Sequence, residues 1–225
     1  REGQTVAEAS GKYKQLTAAQ NEAFKNANNA YKTAGMSANE YMEVSTGFAA
    51  SLVTSLGGDT NKAVKYADMA VIDMADNANK MGSDIESIKN AYQGFAKGQF
   101  IMLDNLKLGY GGTKEEMERL LKDASKISGQ KYDVSSFADI TEAIHVMQEE
   151  MDIAGTTANE AEGTIQGSVS MMKSSWQNML TALVTGGDQY DQCIDNLVDS
   201  VSIAAQNLMP AIEGALNGIG ALITD

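Results

Sequence analysis

The fold class is decided by residues 155–185, which read GTTANEAEGTIQGSVSMMKSSWQNMLTALVT. Apolar residues recur in this stretch at spacings of four, three, four, three and four: Ile165, Val169, Met172, Trp176, Met179 and Leu183. This spacing puts all of them on one face of an α-helix, whereas a half-buried strand would alternate at every second residue. The sequence therefore predicts one long helix over about 158–185, with these side chains as its packing or interaction seam.

The rest of the chain repeats the same helical spacing between turns marked by glycine. Proline occurs once, at Pro210, and aromatic residues make up 6% of the chain, a low share for a β-sandwich. Alanine, methionine, glutamate and lysine are plentiful and favour helix. No alternating pattern of useful length appears. We therefore predict an all-α fold, a multi-helix bundle of long amphipathic helices without a sheet.

Glycine stops and composition divide the chain into three predicted parts. Residues 1–35 form an N-terminal helix whose row of small residues predicts either an intermolecular coiled coil or packing onto the rest of the chain. Residues 36–187 form a helical domain, and residues 188–225 form C-terminal apolar helices, with a boundary or kink at Pro210. The chain begins at Arg1 and ends inside an apolar helix pattern. We therefore expect a piece of a longer protein, with the C-terminal helices leading to the remainder.

The charge of the chain argues against two classes of partner. Asp and Glu number 30 against 17 Lys and Arg, a formal net charge of −13. Phosphate contacts require clustered basic residues, so we expect no direct nucleic-acid binding. Anionic membrane surfaces would also repel the chain. The most apolar region, 198–223, is interrupted by Asp199 and Glu213, whereas a membrane-spanning helix requires ~20 mostly apolar residues.

No residue pattern in the sequence predicts catalysis, a cofactor or a metal site. Cys193 is the only cysteine, which excludes an internal disulfide and a cysteine-cluster metal site. His145 is the only histidine, with Glu142, Glu149 and Glu150 within helical reach. That arrangement is common on an acidic helix, so we expect a surface or half-buried imidazole. The prediction is a protein that is not an enzyme and has no catalytic, cofactor-binding or metal-ligating residues.

A glycine-rich turn precedes a charged helix in the middle of the chain, which raises the question of phosphate binding. The Walker pattern requires Gly-Lys followed by Ser or Thr, but the order here is Gly-Thr-Lys at 112–114. Glu115 and Glu116 would repel phosphate from the start of the helix. We therefore predict a tight, packed turn. The glycines assigned to structural turns are Gly109, Gly111, Gly112 and Gly155.

This order of turns, caps and helices resembles the domain found in the tail tape measure proteins of bacteriophages and prophages. The resemblance covers roughly residues 35–185 and is strongest over Leu108–Leu121 and Gly155–Asn178. Tape measure proteins are long, largely helical chains inside the tail tube, and their length sets the length of the tail. They leave ahead of the DNA during ejection. The resemblance carries no catalytic residue over to this chain.

The resemblance also implies partners and a location. Tape measure proteins occur as a few parallel copies, often three, so the expected partners are copies of this chain together with tail tube and tail initiator proteins. The expected location is the virion tail, and the host cytoplasm during assembly. Even as one continuous helix, 225 residues would span only ~340 Å. The chain is therefore interpreted as a compact module and not as the ruler itself.

Two alternatives stay open at this point. The first is a membrane-active or injected helical module, because the apolar region 198–223 would provide membrane contact. The second is a hydrolase domain, of the kind that some tape measure chains carry.

Overall fold

The computed structural model describes residues 6–185 and 190–224, with side chains described over 10–185 and 190–217. Every regular element within those ranges is helical, which confirms the predicted all-α fold without a sheet. A short 3₁₀ helix, Leu103–Leu106, lies between α4 and α5. The α-helices are α1 (Val6–Thr33), α2 (Ala38–Ser55), α3 (Thr60–Met81), α4 (Ile85–Phe95), α5 (Lys114–Ser128), α6 (Phe137–Glu150), α7 (Thr156–Gly163), α8 (Ile165–Thr185) and α9 (Tyr190–Thr224).

The contacts divide the chain into two compact units, each assembled from segments that are distant in sequence. The first unit combines Arg1–Ala27 with Asn39–Thr156, and the second combines Asn28–Ala38 with Thr157–Asp225. Residues 1–35, predicted as one N-terminal part, thus contribute to both units. Each unit is described separately below.

The first unit has a core of large apolar side chains supplied mainly by α2 to α6 and the 3₁₀ helix. Burying one such side chain stabilises a fold by about 1.5–3 kcal/mol. Helix α6 packs against both α3 and α5, so it lies at the centre of this unit. The largest fully buried side chains are Tyr41, Tyr92, Phe95, Leu52, Met74, Ile88, Leu103, Leu106, Met117, Leu120, Ile140 and Ile144.

Side-chain caps determine where the helices of the first unit begin. In each case a side-chain oxygen accepts a hydrogen bond from the amide three residues further on, which satisfies one of the free donors of the first turn. Gly82 and Gly129 end α3 and α5 in the left-handed conformation that glycine adopts without strain. The N-terminal caps are Asp59 for α3, Asp84 for α4, Thr113 for α5 and Ser136 for α6.

In the second unit, the predicted single helix over 158–185 is wrong at one position. The structure has two helices that meet at Thr164, with α7 before it and α8 after it. The Thr164 hydroxyl accepts a hydrogen bond of 2.9 Å from the amide of Gly167, so it caps a new helix. Gly167 also lies directly against the backbone of Glu160, where a Cβ would overlap the carbonyl oxygen. A cap and a close backbone approach together break the helix.

The predicted boundary at Pro210 is corrected, because α9 continues through this residue from Tyr190 to Thr224, and the alternative of a kink there stays a prediction. Proline inside a helix removes one backbone hydrogen bond and crowds the carbonyl four residues earlier, here that of Gln206. Both Gln206 and Pro210 are exposed. Water can therefore hydrate that carbonyl, and the helix continues.

The predicted coiled-coil seam of α1 is divided between exposed and buried positions. Tyr13 and Leu16, towards its beginning, are exposed, while Ala27 and Ala30 are fully buried. The small residues near the end of α1 therefore pack within the chain, and the larger ones remain available for contacts with other molecules.

Replacing Gly112 with alanine should destabilise the first unit, whereas the same change at Gly111 should be tolerated. A Cβ on Gly112 would overlap the carbonyl oxygen of Ile101. On Gly111 the nearest atom would be Cγ of Glu116 at 3.6 Å, an ordinary contact. Gly112→Ala should lower the free energy of unfolding by about 2 kcal/mol or more, and Gly111→Ala should change it by less than ~0.5 kcal/mol.

The measurement is urea denaturation of both variants, followed by circular dichroism. Equal unfolding free energies for the two variants would mean that Ile101 does not pack against this turn.

Candidate interaction surface on helices α8 and α9

Helices α8 and α9 pack against each other through small and polar side chains. The hydroxyls of Ser175 and Ser200, one from each helix, are 2.6 Å apart and form a buried hydrogen bond. Small side chains let two helix backbones come close together. The buried residues of α8 are Ser168, Met171, Ser174, Ser175, Asn178 and Ala182, and those of α9 are Cys193, Ser200 and Ala204.

The same polar side of α8 holds residues 28–38, which belong to the second unit. The side-chain oxygen of Asn178 accepts a hydrogen bond of 2.8 Å from the amide of Ala38. The Ser174 hydroxyl donates one of 3.0 Å to the carbonyl of Gly35. Lys32 forms an ion pair of 2.5 Å with Glu162 of α7. The polar residues of α8 are therefore used inside the unit.

A small apolar cluster completes this packing. Tyr31 contacts Ala161 and Met171, and Ile203 of α9 lies partly buried against them. Burial is the largest cause that raises the pKa of the Tyr31 hydroxyl above its usual value. This cluster has only three buried members, so the hydrogen bonds of α8 add to its contribution here.

The predicted seam of α8 lies away from this buried side. Trp176 is 49% exposed and Leu183 is 58% exposed, although both are apolar residues of the kind that usually fill a core. Ile165 and Val169 are also exposed, whereas Met172 and Met179 are half-buried. The row that the sequence predicts as a seam is therefore largely open to solvent among the described residues.

Helix α9 has an apolar row of the same kind. Over residues 198–217 its only charged side chains are Asp199 and Glu213. Contiguous exposed apolar residues usually mark a binding surface, because water opposes leaving them uncovered. The exposed large apolar side chains of α9 are Val198, Val201, Leu208, Met209, Ile212 and Leu216. Together with Ile165, Val169, Trp176, Leu180, Leu183 and Val184 of α8, we call these residues the α8–α9 surface.

The chemistry of the α8–α9 surface is that of helix association. Apolar side chains spaced by three and four residues fit between the side chains of a second helix. Over the residues that the structure describes, no group of three or more His, Cys, Asp or Glu is placed to hold a metal ion. Within the same part of the chain, no helix is both long enough and apolar enough to cross a bilayer.

The glycine-rich turn is packed against the start of α5. Gly109 has a positive φ of 84°, and its carbonyl accepts a hydrogen bond of 2.8 Å from Arg119. The Arg119 guanidinium also lies 4.3 Å from the centre of the Tyr110 ring. The amide of Gly111 donates to Glu116, whose carboxylate thus occupies the place that a phosphate would require. Gly155, the fourth predicted turn residue, has a φ of 81°.

His145 is half-buried in the first unit and pairs with a carboxylate that the sequence did not single out. Its Nδ1 lies 2.8 Å from Oδ1 of Asp73, and its Nε2 lies 3.4 Å from Oε1 of Glu149. Glu142, which helical spacing had placed within reach, instead accepts a hydrogen bond of 2.6 Å from the Tyr66 hydroxyl. Both ring nitrogens therefore face carboxylates.

Only one feature of the sequence indicates that Asp73 is buried. Its position follows the buried row of Ala63, Ala67 and Ala70 on α3. Asp73 lies three residues after Ala70, on the same side of α3. A carboxylate at this position is unusual, because apolar side chains are expected there. Its partner on α6 lies 72 residues away, so no local pattern identifies the pair.

Native Cys193 should react slowly with thiol reagents, because its side chain is buried on the α8 side of α9. Burial also raises the pKa of the Cys193 thiol, which reduces the fraction of reactive thiolate. At pH 8 the labelling rate should be about tenfold or more below that in 6 M urea. Rapid labelling of the native chain would contradict the described packing of α9 against α8.

Comparison with protein-family models, with curated proteins and with solved structures finds no match for this chain. The α8–α9 surface is therefore the structural observation that bears on the function of this chain.

Proposed function

We propose that this chain is a non-catalytic helical module of a phage or prophage tail tape measure protein, acting in tail assembly and length determination and in DNA ejection. The observation that carries the proposal is the α8–α9 surface. The module contributes contacts and no bond-making chemistry. Its place is the virion tail, and the host cytoplasm during assembly.

The orientation of α8 supports a role in assembly. A helix whose apolar face served only its own fold would turn that face inwards, as the helices of the first unit do. Helix α8 instead uses Ser174, Ser175 and Asn178 for its internal contacts. Its row through Trp176 and Leu183 is then free to bind another chain.

The charge distribution favours copies of the same chain as partners. Two copies with a net charge of −13 repel each other over most of their surfaces. Residues 198–217 have only two charged side chains, so contact through α9 brings few like charges together. We propose a parallel homo-oligomer, in line with the family, that also contacts tail tube and tail initiator proteins. The same acidity disfavours binding of the module to DNA.

Substitutions within the α8 row test the proposed association. The triple variant Val169→Ser, Trp176→Ser and Leu183→Ser removes exposed apolar side chains and should leave the buried face intact. We expect the wild-type chain to sediment as an oligomer at tens of micromolar, and the variant to sediment as a monomer with unchanged helix content.

The matched control changes exposed polar residues of the same helix, Ser170, Lys173 and Gln177, to alanine, and it should keep the oligomer. Trp176 is the only tryptophan, so a blue shift of its emission with rising concentration reports burial of the row directly. A wild-type monomer at all concentrations, or an oligomer that survives the triple change, would refute association through α8.

A second measurement concerns the identity of the partners. The full-length parent protein should be encoded beside tail tube and tail initiator genes and should co-purify with their products, and the triple variant should reduce that recovery. A gene neighbourhood without virion components would contradict the tape measure assignment, even if the chain associates with itself.

A membrane-active or injected module is the second candidate function, and the exposed apolar row of α9 is the observation that favours it. Such a helix would lie at the lipid surface with Val201, Leu208 and Ile212 in the acyl region. Dye release from neutral phosphatidylcholine vesicles by the intact chain distinguishes the two candidates. The tape measure proposal expects no release at micromolar protein, whereas release that depends on these side chains would favour membrane activity.

A further inference from the structure

A polar cluster lies inside the otherwise apolar core of the first unit. Asp73 and Asn77 of α3, Tyr92 of α4 and Gln148 of α6 are all fully buried. Buried polar atoms in native proteins are nearly always hydrogen-bonded. Here Oδ2 of Asp73 and Oδ1 of Asn77 make no hydrogen bond with a described residue, and the Tyr92 hydroxyl has only the side chain of Gln148 beside it as a polar partner. Such a cluster costs stability, so a specific arrangement must hold it in place.

Among the members of this cluster, Asp73 costs the most free energy to bury. A carboxylate removed from water is strongly destabilised unless a positive charge lies beside it. The groups that face Asp73 are Asp76 on its own helix, Tyr92 on α4, and His145 and Glu149 on α6. Of these only His145 can be positive, and its Nδ1 is 2.8 Å from the Asp73 carboxylate.

A histidine supplies positive charge only while it is protonated, and it loses that charge near neutral pH. Lysine or arginine in the same place would keep its charge at any physiological pH. The contact between α3 and α6 therefore depends on a group whose charge changes with ordinary changes of pH.

The same region holds the turn that follows α6. The carbonyl of Gln148 accepts a hydrogen bond of 2.8 Å from the amide of Ile153. The carboxylate of Asp76, one turn from Asp73 on α3, accepts one of 2.6 Å from the amide of Gly155. Residues 151–155 are thus attached to α6 through Gln148 and to α3 through Asp76.

We infer that the Asp73–His145 pair is a proton-linked latch, which holds the end of α6 and the turn at 151–155 against α3 while His145 is charged and loosens them when it becomes neutral.

The direction of the effect follows from the two pKa shifts. Burial is the largest cause that raises the pKa of Asp73, to about 6 from 3.8. The hydrogen bond to Asp73 raises the pKa of His145 above its usual 6.5. Both groups therefore hold their protons more tightly in the folded state than in the unfolded state. Stability from this pair is complete below the unfolded values and is lost as pH rises through about 6 and then through the raised value of His145.

Other carboxylates determine where the folded chain loses stability at low pH. Glu116, Asp123 and Asp133 have lowered pKa values, chiefly through hydrogen bonds from Arg119, from Lys126 and from the Ser135 amide respectively. Stability linked to these groups is lost only as pH falls below their ordinary values of 4.5 and 3.8. The folded chain is therefore most stable in the mildly acidic range, where these carboxylates are ionised and His145 is protonated.

The first test is a nuclear magnetic resonance titration of the intact chain. His145 is the only histidine, so its imidazole resonance is assigned without ambiguity. Its pKa should lie above 6.5 in the wild type and should fall in Asp73→Asn, which removes the charge but keeps the shape. Glu149→Gln is the matched control, because this carboxylate is 61% exposed and should affect His145 less. A wild-type pKa at or below 6.5, or one that is unchanged in Asp73→Asn, would overturn the latch.

The second test measures amide hydrogen exchange in α6 and at Gly155, corrected for the intrinsic effect of pH. In the wild type, exchange should be about tenfold faster at pH 8.5 than at pH 6. Asp73→Asn should abolish this difference, because it removes the buried charge, whereas His145→Gln should keep a difference that follows the titration of Asp73. Should Asp73→Asn fail to fold, the wild-type titration of His145 still decides the matter. A wild-type difference that persists in Asp73→Asn would assign the pH effect to other groups.

Discussion

The close approach of α8 to α9 through small side chains is the constraint on which the second unit depends. Ser175 and Ser200 meet at 2.6 Å, and a larger residue at either position would force the helices apart. Because serine, asparagine and alanine occupy most of the buried side of α8, with Met171 the one large apolar side chain there, most of its large apolar residues lie elsewhere on the helix. The exposure of Trp176 and Leu183 is a consequence of this packing.

The first unit, unlike the second, packs its helices through large apolar side chains. Its helices bury large apolar side chains, and α6 joins α3 to α5 through residues such as Ile140 and Ile144. Within that core, Asp73 and His145 form a contact that costs more desolvation than an apolar pair of similar size. Polar groups retained at such a cost are reasonable candidates for a role beyond stability, which is why the titration of His145 is of interest.

The proposed function requires an apolar surface that binds other helices and a net charge that disfavours contact with nucleic acid. A net charge of −13 would disfavour contact with nucleic acid and with other acidic surfaces, while residues 198–217 of the α8–α9 surface carry only two charged side chains. Association should therefore be selective for partners that present apolar helices. Length measurement in a tail would use this selectivity, because a module inside a tube would have to bind protein partners during assembly without binding nucleic acid.

The sequence by itself determined the local features of this protein. Helical periodicity, capping by Asp59 and Thr113, and glycine stops such as Gly129 each depend on residues within one or two turns, so the all-α class could be predicted. Periodicity also found the apolar row of α8, but it gives only the angle between side chains and not which side faces the protein.

The tertiary structure alone decided two further points. The row of α8 is exposed because Ser200 and residues 35–38 occupy the other side of the helix. Asp73 meets His145 across 72 residues of sequence. Each of these is a contact between segments brought together by packing, and helix periodicity carries no information about which segments will meet.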